Sequence, residues 1–391
     1  MNRKLRVLLI SDSYPPVLGG SEIEAQRVST AMIARGHEVR VLCAGGPPMP
    51  PLREWIDPTG VPVTILTRRT RGKLKDWVFA LEVVRSLLTR RSGYDVVYFL
   101  MQGLHLAAGL PVARILGKPM VMKVAGSNVI PEMRRSRAGR VELDWLQRWG
   151  VPVMILNEGM REEALSDGFL NERLVWMPNP VDTDEFRPPR PGEAEAWREA
   201  HGIPRGARVT VYVGRLSHEK GLRGLMGGFA MASREEPEAL LILVGDGPLK
   251  PELETQIRDL QIDPARVRFT GRVPAAEIPL WLRAAEVFAL TSPSEGFACA
   301  LLEAMSAGLP SVVSSIPANL QLVDEAIHGF TVPFDDRQAI ADALLRLLRD
   351  PALRRSMGER ARLRVIGNYS TDKVIERYEA LFNSVIDAGG G

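Results

Sequence analysis

Short runs of Val, Ile and Leu, four to six residues long, recur along this chain between amphipathic stretches. A strand covered on both faces by crossover helices reads as a continuous apolar run, so the pattern predicts parallel α/β architecture. The expected strands in the first half are Arg6–Ile10, Glu38–Cys43, Val63–Leu66, Asp95–Leu100, Met120–Val124, Val153–Leu156 and Leu174–Met177. The rhythm then stops. Pro178, Pro180, Pro188, Pro189 and Pro191 remove backbone donors within a few turns of chain, which marks a linker. It restarts with Arg208–Val213, Leu240–Val244, Val267–Thr270, Val287–Leu290 and Ser311–Ser314. Two similar α/β units in tandem follow, 1–185 and 186–369. Beyond them Val374, Tyr378, Leu381, Phe382 and Val385 keep helical spacing within a tail helix over 370–388.

At 391 residues and 45% hydrophobic content the chain can bury two cores, and disorder is excluded. The net charge of +3 gives no argument for a nucleic-acid partner. Charge is nevertheless uneven, with 25 basic and 20 acidic residues up to Glu185 against 25 and 27 after it. Arg68, Arg69, Arg71, Lys73 and Lys75 form one basic run, and Arg134, Arg135, Arg137 and Arg140 another. Such runs suit solvated loops, or contact with an anionic membrane surface or an acidic acceptor. Cys43 and Cys299 sit far apart in apolar runs, as buried free thiols of a reducing compartment do. The apolar run Val7–Ile10 is too short for a signal peptide, and Val96–Ala113 is broken by Gln102, Gly103, His105, Gly109 and Pro111. A cytoplasmic protein without a transmembrane segment is expected, with peripheral contact at the inner face of the membrane left open by the basic runs.

Three segments carry chemistry. Gly214-Arg215-Leu216-Ser217-His218-Glu219-Lys220-Gly221 follows an expected strand and opens a helix. Glycine permits close backbone approach, a helix N-terminus favours anions, and Arg215 with Lys220 can donate charge-assisted hydrogen bonds, so a diphosphate fits. An ordinary strand-to-helix turn with surface charges fits as well. The terminal Gly-Lys-Ser/Thr of a P-loop is absent. Gly245-Asp246-Gly247-Pro248 again ends a strand, at the sheet edge where α/β proteins bind ligands, though such a turn is common without a site. In the third segment, Ser294-Glu295-Gly296-Phe297 leads through Cys299 to Glu303. Two carboxylates eight positions apart could reach different hydroxyls of one elongated ligand; the plainer alternative is a capping Glu295 and a solvent-facing Glu303.

In combination these segments are far more specific. The chain resembles the retaining glycosyltransferases of the GT-B fold, family 4, also called glycosyl transferases group 1. The resemblance runs over nearly the whole chain, through Tyr14-Pro15-Pro16, Gly19-Gly20-Ser21-Glu22, Pro178-Asn179-Pro180-Val181-Asp182, Gly214-Arg215, Lys220-Gly221, Gly245-Asp246-Gly247-Pro248 and the Glu295/Glu303 block. It implies two Rossmann-like domains facing a cleft, the acceptor mainly on the first, the nucleotide mainly on the second, and the tail helix crossing back to the first. By resemblance Arg215 and Lys220 bind the donor diphosphate, Glu295 meets the sugar and Glu303 the ribose. Gly19, Gly20, Gly214, Gly245, Gly296 and Phe297 belong to the donor side.

The implied reaction moves a hexosyl group from a nucleotide-diphosphate sugar, UDP- or GDP-linked, to a hydroxyl of a sugar, lipid-linked or small-molecule acceptor, in glycan, glycolipid or cell-envelope polysaccharide synthesis. Retention by front-side attack, with no cofactor and no metal, is the expectation. A GT-B epimerase, a sugar phosphorylase and a catalytically silent binding subunit are the alternatives. One departure concerns the acceptor side. Where members often carry a His-Gly pair this chain has Ala125-Gly126-Ser127-Asn128, so Ser127 and Asn128 are the nearest candidates to contact sugar or acceptor. His105 and His218 are expected to be structural or solvated.

Overall fold

The apolar runs form two separate parallel sheets. The computed structural model describes residues 3–17, 19–45, 53–67 and 73–389, with the backbone only for Lys73. The chain divides into two compact units, one of Met1–Pro180 with Thr371–Gly391 and one of Val181–Ser370.

The first unit holds strands β1 (Arg6–Ser11), β2 (Glu38–Cys43), β3 (Glu54–Ile56), β4 (Pro62–Ile65), β5 (Val96–Leu100), β6 (Met120–Lys123), β7 (Val153–Ile155) and β8 (Leu174–Trp176). Their order is β3-β4-β2-β1-β5-β6-β7-β8. All neighbours are parallel except β3 against β4. The second unit holds β9 (Arg208–Val213), β10 (Ala239–Val244), β11 (Val267–Gly271), β12 (Val287–Leu290), β13 (Ser311–Ser314) and β14 (Gly329–Val332), ordered β11-β10-β9-β12-β13-β14 and parallel throughout. Every residue of β5 and β10 is buried, which is why these segments could be uninterrupted apolar runs. Sequence reading missed β3 and β14. The first is a three-residue edge strand with two exposed positions, and the second opens on Gly329, so neither carries the apolar signature of a central strand.

The C-terminal helix Thr371–Gly389 buries Val374, Ile375, Tyr378 and Phe382, which share one helical face, in the core of the first unit. Tyr98 from β5 meets Tyr378 and Phe382 at ring-centroid distances of 5.8 and 6.0 Å. A buried polar cluster fastens the same helix. Lys123, fully buried at the end of β6, pairs with Glu24 and donates to Asn179 Oδ1 at 3.0 Å and Tyr378 Oη at 3.2 Å. Tyr378 in turn donates to Glu24 at 2.8 Å. Four segments distant in sequence are thereby held at one point.

A second polar link has a pH signature. Glu379 accepts from Arg35 at 2.8 and 3.1 Å and from His37 Nε2 at 2.8 Å. Leu5 N–H donates to His37 Nδ1, which leaves the imidazole proton on Nε2. Burial pushes the Glu379 carboxyl up, but the hydrogen bonds from Arg35 and His37 outweigh it and hold the group below its ordinary 4.5. A depressed carboxyl stabilises the fold fully above that ordinary value and loses the contribution as pH falls through the folded value. Glu379→Gln should therefore melt several degrees below wild type at neutral pH, with the gap closing under acid, since both side chains are then uncharged. Melting curves at about pH 7 and pH 3 test this; a gap independent of pH would mean that packing, not charge, sets the effect.

Candidate active site

In the second unit the strand order reverses between β9 and β12, and in open parallel sheets that reversal leaves a crevice at the carboxyl ends where ligands bind. Two loops enter it, Gly214–Gly221 after β9 and Thr291–Gly296 after β12. They meet at Gly221. Its φ is +64°, and a Cβ there would lie 1.9 Å from the Thr291 carbonyl oxygen, so glycine alone permits the approach. Thr291 Oγ1 seals it by donating to the Gly221 carbonyl at 3.1 Å.

That junction puts Lys220 beside Glu295. Lys220 Nζ lies 2.8 Å from Oε1 and 3.0 Å from Oε2 of the carboxylate, and Ser292 Oγ donates to Oε1 at 2.7 Å. Glu295 is 11% exposed and Lys220 26%, so the ammonium keeps an open side while its partner is fixed. Two N–H groups aimed at the carboxylate leave the third for another acceptor. Arg215 is exposed, and its carbonyl accepts from the buried Tyr212 hydroxyl at 2.9 Å. Glu219 is held below the ordinary carboxylate range, first by the Ser217 hydroxyl and further by the charges of Lys220 and Arg215.

The Gly245 segment packs directly on the first loop. A Cβ at Gly245, whose φ is +136°, would sit 2.0 Å from the Gly214 carbonyl oxygen. Leu216 N–H donates to Asp246 O at 3.0 Å and Leu249 N–H to Leu216 O at 2.9 Å, joining the two loops edge to edge. Beyond Glu295 and Gly296, Phe297 tucks its ring 6.4 Å from Tyr369, and the helix Cys299–Ser306 begins. Glu303 stands one turn into that helix, half-buried. Glu295 does not cap it; Ala298 occupies the cap position. Ser292, which holds Glu295, escaped the sequence reading, although a hydroxyl pair ending an apolar strand just before a Glu was its signal.

The remaining candidates lie in the first unit. Gly19 is extended and precedes the helix Gly20–Ala34, whose Glu22 accepts from the Ser13 hydroxyl. Ser127 is half-buried and Asn128 exposed. Asn128 precedes the helix Val129–Arg135 with φ +63°; its N–H reaches the Glu163 carboxylate at 3.0 and 3.1 Å, and its side chain caps nothing. His218 is exposed, 3.4 Å from Glu252, whereas His105 is buried against Phe79. Two expectations need correction. Cys43 is buried but Cys299 only partly so, because it starts a helix at the rim of the site. The second basic run lies on the helices Val129–Arg135 and Arg137–Arg148 and not in a loop, and its Arg134 pairs with Asp144 and Asp167. Most of the first run, Arg68, Arg69 and Arg71, lies outside the described residues. Among the described residues no group of three or more His, Cys, Asp or Glu is placed to hold a metal ion.

Comparison with known proteins covers both units. The family model for glycosyl transferases group 1 matches residues 193–364, and that for the glycosyl transferase 4-like domain matches residues 19–180. A 2-deoxystreptamine N-acetyl-D-glucosaminyltransferase of Streptomyces fradiae is 26% identical over 96% of this chain and 93% of its own. A galactosyltransferase of Escherichia coli, named for transfer from UDP-Gal to alpha-D-GlcNAc-diphosphoundecaprenol in alpha-1,3 linkage, is 24% identical over 76% of this chain and 78% of its own. The crystal structure of Anabaena HepE in complex with UDP and glucose shares the fold with a TM-score of 0.80 at 21% identity, covering 97% of this chain and 100% of that one. With two parallel-sheet domains, a matching family model on each and relatives of nearly equal length, this chain belongs to the group 1 glycosyltransferases of the GT-B fold.

Proposed function

We propose that the enzyme transfers a hexosyl group from a nucleotide-diphosphate sugar to an acceptor hydroxyl with retention and without a metal. The observation that carries this reading is the Lys220–Glu295 pair at the reversal point of the second sheet, a cation with one open donor beside a fixed carboxylate. In the reaction the bond between the anomeric carbon and the diphosphate oxygen breaks, and a bond from that carbon to the acceptor oxygen forms on the same face. The acceptor proton passes to the departing phosphate. Lys220 and Arg215 stabilise the charge that builds on the diphosphate, and such preorganised donors are usually the largest catalytic contribution. Glu295 orients the sugar, Glu303 accepts from ribose hydroxyls, and Gly214, Gly245 and Gly296 let backbone approach the donor. Phe297 supports that loop from below. UDP is the first donor base to test, because the Escherichia coli relative is named for a UDP sugar and HepE was solved with UDP. The alpha-1,3 linkage in the same relative's name favours retention.

The roles of the two carboxylates separate in calorimetry. Glu295→Gln should leave the dissociation constant of the nucleoside diphosphate within about twofold while turnover falls at least tenfold; Glu303→Ala should weaken the nucleotide itself by about tenfold. The opposite division would exchange the two roles.

Peripheral membrane contact belongs to the same proposal. The helix Lys73–Thr89 exposes Leu74, Trp77, Leu81 and Leu88 by 63, 66, 67 and 50%, at a spacing that makes one stripe. In sequence, Arg68, Arg69, Arg71 and Lys73 come just before it. An apolar stripe with an indole and adjacent cations matches the interface of an anionic bilayer, at about 1 kcal/mol per basic residue near the surface. No described helix is long and apolar enough to cross a membrane. Cosedimentation with vesicles containing phosphatidylglycerol should exceed that with neutral vesicles at least tenfold, fall with salt and drop in Trp77→Glu; equal sedimentation with both would remove the membrane from the account.

A further inference from the structure

The parallel ladder between β12 and β13 ends at Leu290 and Val313, and the chain beyond Leu290 turns into the crevice toward Glu295. Where a ladder stops, buried backbone groups need side chains to meet them. Ser292 lies just past that point and Ser314 is the last residue of β13; both are fully buried. The Ser314 hydroxyl donates to the Ser292 carbonyl, so a side chain does there what a strand N–H would otherwise do.

Asn319 stands behind Ser314, on the short helix Pro317–Leu320, and is also fully buried. Its Nδ2 donates to the Ser314 carbonyl at 2.9 Å and to Ser314 Oγ at 3.1 Å. A carbonyl can only accept, which fixes the orientation of the amide; a hydroxyl that accepts from Asn319 is left to direct its own proton at Ser292. Ser292 Oγ then donates to Glu295 Oε1 at 2.7 Å, on the carboxylate that Lys220 meets. The bonds therefore run in one direction, from Asn319 through Ser314 and Ser292 to Glu295, along side chains without solvent contact.

A second link reaches the same loop from its other end. Tyr369, whose ring packs against Phe297, donates its hydroxyl to the Gln321 carbonyl at 3.2 Å, and Arg364 donates to that carbonyl at 2.8 Å. Glu295 is thus bracketed by two links that both trace to residues 319–321. Neither Ser314 nor Asn319 carries a charge to offer a diphosphate; what they hold is the loop.

We propose that Ser314 and Asn319 are positioning residues for Glu295, holding the carboxylate through Ser292, and Lys220 through the carboxylate, in the geometry that transfer uses. The proposal rests on the glycosyl-transfer reading above and adds the groups that keep its acid in place. A preorganised group needs no rearrangement at the moment of reaction, and a small displacement of one is felt mainly in turnover.

Ser314→Ala removes one oxygen and little volume. The readout is release of UDP from UDP-glucose or UDP-galactose, whichever the wild-type chain turns over faster. In Ser314→Ala, kcat should fall about tenfold while the dissociation constant of UDP stays within about twofold. Ser314→Thr, which keeps the hydroxyl, should recover most of the rate. With Glu295→Ala already in place, Ser314→Ala should cost less than about twofold more, because it acts through the missing carboxylate. General damage to the loop would instead slow both backgrounds by the same factor. Hydrogen exchange reads the device without any donor: amides of residues 292–297 should exchange faster in Ser314→Ala and at the wild-type rate in Ser314→Thr. If Ser314→Ala does not fold, Ser292→Ala carries the same comparisons. Unchanged kcat in the folded variant, or an equal loss in both backgrounds, would overturn the proposal. An active wild type that is indifferent to Ser314→Ala defeats the positioning alone. A wild type that releases UDP from neither sugar nucleotide counts against the transfer reading, and exchange then decides whether Ser314 holds the loop.

Discussion

Lys220→Ala should lower turnover by about 10²–10³ while leaving the circular dichroism spectrum and melting temperature close to wild type. The reason is the division of labour around one nitrogen. Lys220 keeps an open side and bonds the Glu295 carboxylate, whereas the backbone junction beneath it is held by Gly221 and Thr291, which the substitution does not touch. Glu295 keeps the Ser292 hydroxyl as a partner, so its orientation survives. On the proposed reading, what disappears is the point charge that meets the leaving diphosphate, and this loss is felt most where the charge is greatest, in the transition state. Arg215→Ala should act in the same direction by a smaller factor, because the guanidinium is exposed and partly screened. A folded Lys220→Ala protein with near-normal turnover would remove Lys220 from the reaction.

The largest effect on stability should come from Glu24→Ala, at about 3–5 kcal/mol, because it leaves Lys123 charged, fully buried and unpaired. Asn179 and Tyr378 would remain near the ammonium, but neither carries a compensating charge. The consequence extends beyond one pair. The cluster joins β6, the helix Gly20–Ala34, the segment around Asn179 and the C-terminal helix, so the variant should also speed amide exchange in Thr371–Gly389. Combining Glu24→Leu with Lys123→Met should recover much of the loss, because two apolar groups of similar volume replace a pair whose desolvation is costly. Denaturant unfolding of the single and double variants checks this. A single variant within about 1 kcal/mol of wild type would mean that the pair is neutralised locally and does not fasten the helix.

The parallel strands were legible because burial on both faces forces an apolar vocabulary that survives as a visible run, as in Leu240–Val244. Glu54–Ile56 was not, because an edge strand with exposed ends has no such constraint. The loop Gly214–Gly221 was legible as chemistry because glycines bracket Arg215 and Lys220 between an apolar strand and a helix; the positive φ at Gly221 and its close approach to Thr291 are visible only in the structure. Two parts of the molecule stayed hidden for a common reason. Lys123 with Glu24, and Asn319 and Ser314 with Ser292, are assembled from residues distant in sequence, and each looks locally like an ordinary polar position. Only the strand order, which carries β5 beside β1, β6 beside β5 and β13 beside β12, brings them together.

The central claim is that the crevice of the second unit recognises a nucleoside diphosphate through Lys220. It is tested most directly by thermal shift of wild type and Lys220→Ala against UDP, GDP, ADP and their monophosphates. Binding to the folded state alone raises the melting temperature in proportion to occupancy. The account predicts a saturable rise for one diphosphate, a much smaller rise for its monophosphate, and loss of that difference in Lys220→Ala. Equal shifts from diphosphate and monophosphate in wild type, or an undiminished diphosphate shift in Lys220→Ala, would contradict it.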